Sequence, residues 1–451
     1  MQRYFLQLVM LAGLVILENK ALIAQQDRPN VILIYSDDQG YSDLNCYGST
    51  DLYTPNLDKL AGRGVRFTEF YAAAPVCSPS RAALLTGRVP QRAGLSDNAS
   101  SKEGVAGMPA AQYTMGELFR DGGYKTAHIG KWHIGYSPET MPNAQGFNHS
   151  FGFMGGCIDN YSHFFYWDGP NRHDLWRNGK EVYAPGSYFQ DLMVKEAADF
   201  MKQNRATPFF IYFALNTPHY PLQGDTKWLD YYKKLASPRR EYAAFVSAMD
   251  ERVGALLAKL DELGLTENTI VIFQSDHGYS EEIRTFGGGG TAIGLRGSKF
   301  SLFEGGIKVP AIISWPKRLP MNVTRNQFAT NIDWYPTLAG YCGLGLPDKK
   351  LDGKNLKELI GSEKAASPHA MFFWQSGGKK DAPQWAVRKG NWKLLHAPLQ
   401  SNPDELDGNG FMLVNLQSDP AEKINLASKY PEQVRELLAA YQQWSKTATD
   451  Q

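Results

Sequence analysis

The stretch Asn30-Val31-Ile32-Leu33-Ile34-Tyr35-Ser36-Asp37-Asp38 decides how this chain folds. Its first six residues are mostly apolar and β-branched without alternation, the pattern of a strand covered on both faces, as in a parallel sheet flanked by helices. The run stops at two acids, so a pair of carboxylates sits at a strand's carboxyl end. In open α/β sheets that edge is where ligands bind.

The same arrangement recurs outward from this strand. Tyr124 to Ile129 predicts a strand entering Gly130-Lys131-Trp132-His133, and Pro208 to Phe213 predicts one delivering Asn216-Thr217-Pro218-His219. Thr269 to Phe273 predicts another, delivering Ser275-Asp276-His277-Gly278. Helical patterns alternate with them at Pro55–Gly64, Ser80–Leu85, Tyr113–Asp121, Tyr188–Gln203, Arg239–Leu263 and Phe328–Gly340. Val309 to Ser314 adds a further apolar strand.

Past residue 360 the texture changes to short strands at Ala370–Trp374, Trp385–Arg388, Trp392–His396 and Met412–Leu416, then a helix from Pro431 to Ser445. The expected organisation is a leader over 1–24, a main α/β domain over 28–360 and a small antiparallel-sheet-plus-helix unit over 361–451. Residues 287–290 are four consecutive glycines, which read equally as a mobile loop near the site or as a surface turn.

The chain has 451 residues, with 47 Lys plus Arg against 46 Asp plus Glu, so no global field recruits nucleic acid or a membrane surface. An anionic ligand must be held by a local site. Met1-Gln2-Arg3-Tyr4 followed by apolar Phe5–Leu17 and Ala21–Ala24 reads as a secretory signal peptide, too short to span a bilayer comfortably. The expectation is an exported protein with no stable membrane insertion, in a bacterial periplasm. The four cysteines, at 46, 77, 157 and 342, form no C-x-x-C pair; one Cys46–Cys157 or Cys157–Cys342 bridge stays open.

Asp37, Asp38, Asp276 and His277 offer three carboxylates and an imidazole, a donor set suited to a hard divalent ion, Ca²⁺ or Mg²⁺. The competing reading makes Asp37 a helix cap and Asp38 a turn residue.

Cys77-Ser78-Pro79-Ser80-Arg81, continued by Ala82 to Arg88, resembles the active-site signature of the formylglycine-dependent sulfatases, and Gly130 to Gly135 resembles their second signature. Thr217-Pro218-His219, Ser275 to Gly278, Arg296-Gly297-Ser298-Lys299, Glu304-Gly305-Gly306 and Asn415 to Pro420 extend the likeness over about residues 28 to 430. The resemblance implies an alkaline-phosphatase-like mixed sheet sandwiched by helices, with a smaller C-terminal α+β subdomain.

It further implies that Cys77 is oxidised to formylglycine by a formylglycine-generating or anaerobic sulfatase-maturing enzyme. The product would be the nucleophile and, with Asp37, Asp38, Asp276 and His277, a calcium ligand. Many relatives carry Asn at the position of His277, a mild departure. Arg81 and Lys131 would sit beside the formylglycine and sulfate, His133 would orient the hydrate, and His219 and Lys299 would contact sulfate and the leaving oxygen. An imidazole donates a proton near neutrality more readily than a lysine, which puts His219 ahead of Lys299 as the acid.

The implied substrate is a sulfated oligosaccharide or glycan, cleaved exo-fashion. The segment from Ser280 to Gly290 into Arg296–Gly306 resembles enzymes acting on galacto-configured sugars. The aromatic stretch Trp132, Tyr136 and Tyr161 to Trp176 suits sugar stacking or, equally, core packing; His163, Arg172, His173 and Arg177 are candidate sugar contacts. The alternatives are a phosphonate or phosphodiester hydrolase of the same superfamily, or a non-catalytic glycan-binding relative.

Overall fold

The computed structural model describes residues 28–449, apart from 168, 380 and 381. The expected signal peptide lies outside the described residues. Asn30–Ser36 is the central strand, buried along its whole length. It pairs in parallel with Thr269–Ser275 on one side and Phe209–Ala214 on the other, and Phe209–Ala214 pairs in parallel with Lys125–Lys131. His149–Phe153 extends this parallel centre, and short strands on both flanks bring the sheet to ten.

Alternation along the central strand divides two cores. Val31, Leu33 and Tyr35 join Phe210, Tyr212, Leu84, Trp334 and Leu338 on one face. Ile32 and Ile34 join Ile211, Phe213, Phe200, Val246, Met249 and Leu256 on the other, where the helices Phe189–Gln203 and Arg239–Glu262 pack. Because both faces are covered, the strand carries no polar alternation.

The C-terminal unit is a four-stranded antiparallel meander, Phe372–Lys379, Ala382–Lys389, Trp392–His396 and Phe411–Asn415, with the helix Pro431–Thr447. Val387, Leu394 and Leu413 face Leu437 of that helix. Ala386, Leu395 and Met412 pack instead against Tyr71, Phe303 and Ile332 of the larger domain.

Two expectations change. Phe328–Gly340 is a short strand, Ala329–Thr330, and a 3₁₀ turn before a helix over Trp334–Cys342. The side chain of Asn331 accepts from Ala73 N and donates to Ser80 O, which holds that backbone out of the helix. Neither of the bridges left open by the sequence forms: all four cysteines are free. Cys342 sits in the first core, Cys46 packs against the second and Cys157 lies in a small separate cluster. Among the described residues no helix is long and apolar enough to cross a membrane.

Candidate active site

Four adjacent parallel strands, Thr269–Ser275, Asn30–Ser36, Phe209–Ala214 and Lys125–Lys131, end at one edge and deliver Asp276-His277, Asp37-Asp38, His219 and Lys131-His133 there. Ser36 faces Ser275 in register, and the ladder continues one residue further: Asp276 N donates to Ser36 O and Asp37 N to Thr217 O. This sets Asp37 and Asp276 side by side. Asp38 then turns into the left-handed region at φ 61°, and its N–H donates to Asp276 Oδ1 at 3.1 Å. A non-glycine residue there stores strain of the kind that clusters at functional sites. Gly130 lets the Lys131 strand approach its neighbour, since a Cβ would lie 1.9 Å from Ala214 O.

The fifth contribution comes from the helix Cys77–Thr86, which begins three residues earlier than the pattern predicts. Pro79 is compatible with a first turn, where no N–H is needed. Cys77 Sγ lies 3.3 Å from His277 Nε2 and 3.7 Å from Asp37 Oδ1. One turn on, Arg81 Nη2 bridges Asp37 Oδ1 and Asp276 Oδ2 at 3.1 and 3.0 Å. Lys131 Nζ reaches Asp37 Oδ2 at 2.7 Å, while Lys299 Nζ contacts Asp38 Oδ2 at 3.0 Å and Glu282 Oε2 at 3.1 Å. His219 Nε2 is 3.7 Å from Asp38 Oδ2. The His133 carbonyl accepts from Ser78 Oγ, and its backbone is also left-handed, at φ 53°.

Burial raises Asp37, but Lys131, His219 and Arg81 outweigh it and hold its carboxyl well below the usual range. Burial, with repulsion from Asp37, pushes Asp38 up to about 7 and Asp276 up to about 8. The Cys77 thiol is pushed up by burial. Burial and the neighbouring lysines depress His133, His219 and His277, so these rings are neutral near pH 7. Lys299 stays protonated: Asp38 overcomes the cost of its burial.

Asp37, Asp38 and Asp276 each place an oxygen within 4.8 Å of the others, and His277 Nε2 joins Asp276 and Cys77 on the same scale. Asp38 Oδ1 is buried and accepts no hydrogen bond. His277 Nδ1 donates to the Gly278 carbonyl at 2.9 Å, which leaves Nε2 as a lone pair facing the carboxylates. Converging acid oxygens, an unused acceptor and a fixed imidazole tautomer fit a hard divalent cation.

Cys77, His133, His219 and Lys299 floor a cavity of about 280 Å³ walled by Asn98, Ser100, Ser101, Cys157, Phe165, Tyr220, Arg284 and Phe300. A cavity of about 180 Å³ at the far end of the sheet is lined by Leu60, Leu257 and Val271 and gathers no His or Cys.

The four candidate sugar contacts do not line the active-site cavity. His163 is fully buried and donates from Nε2 to Ser187 O. His173 stacks on Tyr183 and pairs with Glu181, and Arg177 forms a bidentate pair with Glu196. Arg172 stacks on Phe165 at 4.0 Å and donates to Ser101 O, buttressing the wall from behind. Trp132 and Tyr136 are core residues; of the aromatic stretch only Phe165 lines the cavity. Sequence reasoning passed over Tyr220 and Arg284, although Tyr220 directly follows His219. The four glycines are packed in part: a Cβ on Gly289 or Gly290 would strike Tyr242 or Tyr279.

The family model described as Sulfatase matches residues 29–344, and one described as N-sulphoglucosamine sulphohydrolase, C-terminal, matches 297–446. Arylsulfatase A of Homo sapiens is 33% identical over 92% of this chain and 86% of its own length. N-acetylgalactosamine-6-sulfatase of Canis lupus familiaris is 35% identical over 77% of this chain and 68% of its own. A crystal structure of Ps i-CgsB in complex with k-i-k-neocarrahexaose is 31% identical with a TM-score of 0.83, covering 93% of each chain. Full-length likeness of this kind, on a chain whose strand ends gather acids and cations around Cys77, has one reading: the chain belongs to the sulfatase family and is a sulfuric ester hydrolase.

Proposed function

We propose that the protein removes a sulfate group from a sugar of a sulfated glycan, acting on a chain end, with galacto-configured sugars as the preferred class. The observation that carries this reading is Cys77 at the floor of the cavity, within 3.3 Å of His277 and 3.7 Å of Asp37. A cavity of about 280 Å³ has room for one sugar ring, which supports action on a chain end. The galacto preference is supported by the N-acetylgalactosamine-6-sulfatase relative and by the neocarrahexaose-bound structure.

Asp37, Asp38, Asp276 and His277 would hold Ca²⁺, with Mg²⁺ the alternative, and the ion would supply positive charge to the sulfate oxygens. Oxidation of Cys77 to formylglycine would supply a hydrate with two hydroxyls on one carbon, one to attack sulfur and one to allow sulfate to leave. Arg81 and Lys131 are buried and fixed by Asp37, so they present charge to the attacked group without reorganising. His133 Nδ1 is buried without a partner and is available to orient the nucleophile.

The proton for the leaving oxygen has two candidate carriers. His219 Nδ1 donates to the Tyr220 carbonyl at 2.8 Å, so in the neutral ring Nε2 carries no proton. Lys299 is protonated and faces the same cavity. We therefore place Lys299 ahead of His219 as donor in the free site, the reverse of the order expected from side-chain type.

The leader would direct export, with maturation by a formylglycine-generating or anaerobic sulfatase-maturing enzyme. The test is to produce the protein beside such an enzyme, weigh the Cys77 peptide and assay sulfate release from monosulfated galactose, N-acetylgalactosamine and glucosamine. A peptide about 18 Da lighter, with release from a galacto-configured sugar, is the expected result. Rapid desulfation by protein with an unshifted peptide would overturn the formylglycine mechanism.

A further inference from the structure

The wall of the cavity carries one cation, Arg284, that lies outside the cluster around Asp37, Asp38 and Asp276. Arg284 lies on the 3₁₀ turn Ile283–Thr285 and lines the cavity with Tyr220. Its Nη1 donates to Tyr220 Oη at 3.2 Å, and its guanidinium lies 5.7 Å from that ring's centroid. Lys299 Nζ lies 5.9 Å from the same centroid. One aromatic ring therefore links the lysine at the floor to the arginine at the mouth.

Arg284 has no carboxylate partner among the described residues. Glu282, two residues away, is turned to Lys299 and accepts from Ser280 Oγ. Arg177, Arg239 and Arg252, by contrast, are each bound to acids. With Nη1 on Tyr220 and no hydrogen bond from Nε or Nη2 among the described residues, the outer edge of this guanidinium can take two oxygens of one anionic group. Of the other cations, Lys299 lies at the floor, while Arg81 and Lys131 sit beneath it against Asp37.

We propose that Arg284 reads a second anionic group on the substrate, a sulfate or a carboxylate, carried by the sugar that bears the scissile sulfate or by its immediate neighbour. The spacing sets that limit, because Lys299 and Arg284 flank a single Tyr220 ring, about the width of one sugar. The enzyme then selects doubly anionic glycan ends over singly sulfated ones. This rests on the sulfate-ester reading above.

The test compares kcat/KM of the matured enzyme and of Arg284→Gln on three matched galacto-configured disaccharides: one with a single sulfate, one with two sulfates, and one with a sulfate and a uronic carboxylate. 4-Nitrophenyl sulfate serves as reference. The wild type is expected to favour one doubly anionic disaccharide over the singly sulfated one, and Arg284→Gln to reduce that preference by about tenfold, chiefly through KM. Which doubly anionic arm responds identifies the group as sulfate or carboxylate. A preference unchanged within twofold overturns the role of Arg284 alone, as does an equal loss on every substrate including 4-nitrophenyl sulfate. No turnover of any sulfate ester by the wild type overturns the reading beneath it, and this inference with it.

Discussion

Two clusters of buried charge lie five residues apart on one segment, Lys299 in the first and Glu304 in the second, and they are finished to different degrees. In the second, Lys393 of the C-terminal sheet lies between Glu304 Oε1 and Glu422 Oε1 at 2.8 and 2.9 Å. Tyr71 Oη donates to Glu304 Oε2, and Glu304 N donates to Glu422 Oε2. Each of those carboxylate oxygens has a partner. In the first, Asp38 Oδ1, Arg81 Nε, His133 Nδ1 and Thr217 Oγ1 are buried without one. Saturated charge holds domains together; unsaturated charge waits for a ligand.

The contrast breaks most visibly at Cys77. Cys77→Ser should lower sulfate release on the order of a thousandfold or more. Its melting temperature should stay near that of the parent, because one small buried atom is exchanged. Activity near the wild-type level would show that the open cluster works without an oxidised residue.

Asp38→Asn should remove both bound calcium and turnover, measured by elemental analysis and assay. In chelator the same variant should melt slightly higher than the wild type, since it relieves repulsion among Asp37, Asp38 and Asp276. A lower melting temperature in chelator would mean that the first cluster is as structurally committed as the second.

Lys393→Ala strands two buried carboxylates and should cost about 3–5 kcal/mol of stability, seen in denaturant melts. Stability within 1 kcal/mol of wild type, on that same scale, would erase the distinction between the clusters.

A smaller effect concerns pH. Burial pushes Glu422 up to about 7, whereas Lys393, Arg388 and Lys308 overcome burial and hold Glu304 at about 2. The raised group contributes stability that is complete below the ordinary glutamate value and is lost as pH rises through about 7. The lowered group contributes stability present above the ordinary value and lost as pH falls towards about 2. Glu422→Gln should therefore gain on the wild type, by about 1–3 kcal/mol, between pH 5 and pH 8. An unchanged difference across that window would show that Glu422 does not titrate there.

The smallest expected effect separates Lys299 from His219. Lys299→Ala should lose more activity on a sugar sulfate than on 4-nitrophenyl sulfate, whose leaving oxygen needs little protonation. Equal losses would make Lys299 a binding cation and return the donor role to His219.

Much of the first cluster was legible in the sequence because buried parallel strands advertise themselves as unbroken apolar runs, and Asp37, Asp38, Asp276 and His277 directly follow such runs. What local pattern could not supply was strand order, the long-range pairing that puts Thr269–Ser275 beside Asn30–Ser36. Glu304 and Lys393 both fell in stretches that carry the family likeness, but nothing in the local pattern marks Lys393 as buried or pairs it with Glu304 and Glu422. Arg177 and His173 misled for a related reason: composition shows cations among aromatics but not that Glu196 and Glu181 already occupy them. Arg284 escaped notice because its significance is an absent partner, which no motif records.

The Lys393 contact has a consequence for protein engineering. The segment bearing Lys299 is anchored, five residues later, to a side chain contributed by the small domain. Recombining catalytic and C-terminal portions from different relatives would therefore preserve the reaction only if positions 304, 393 and 422 are inherited as one block. A crossover placed between residues 304 and 393 would look like a clean domain junction and yet divide that block.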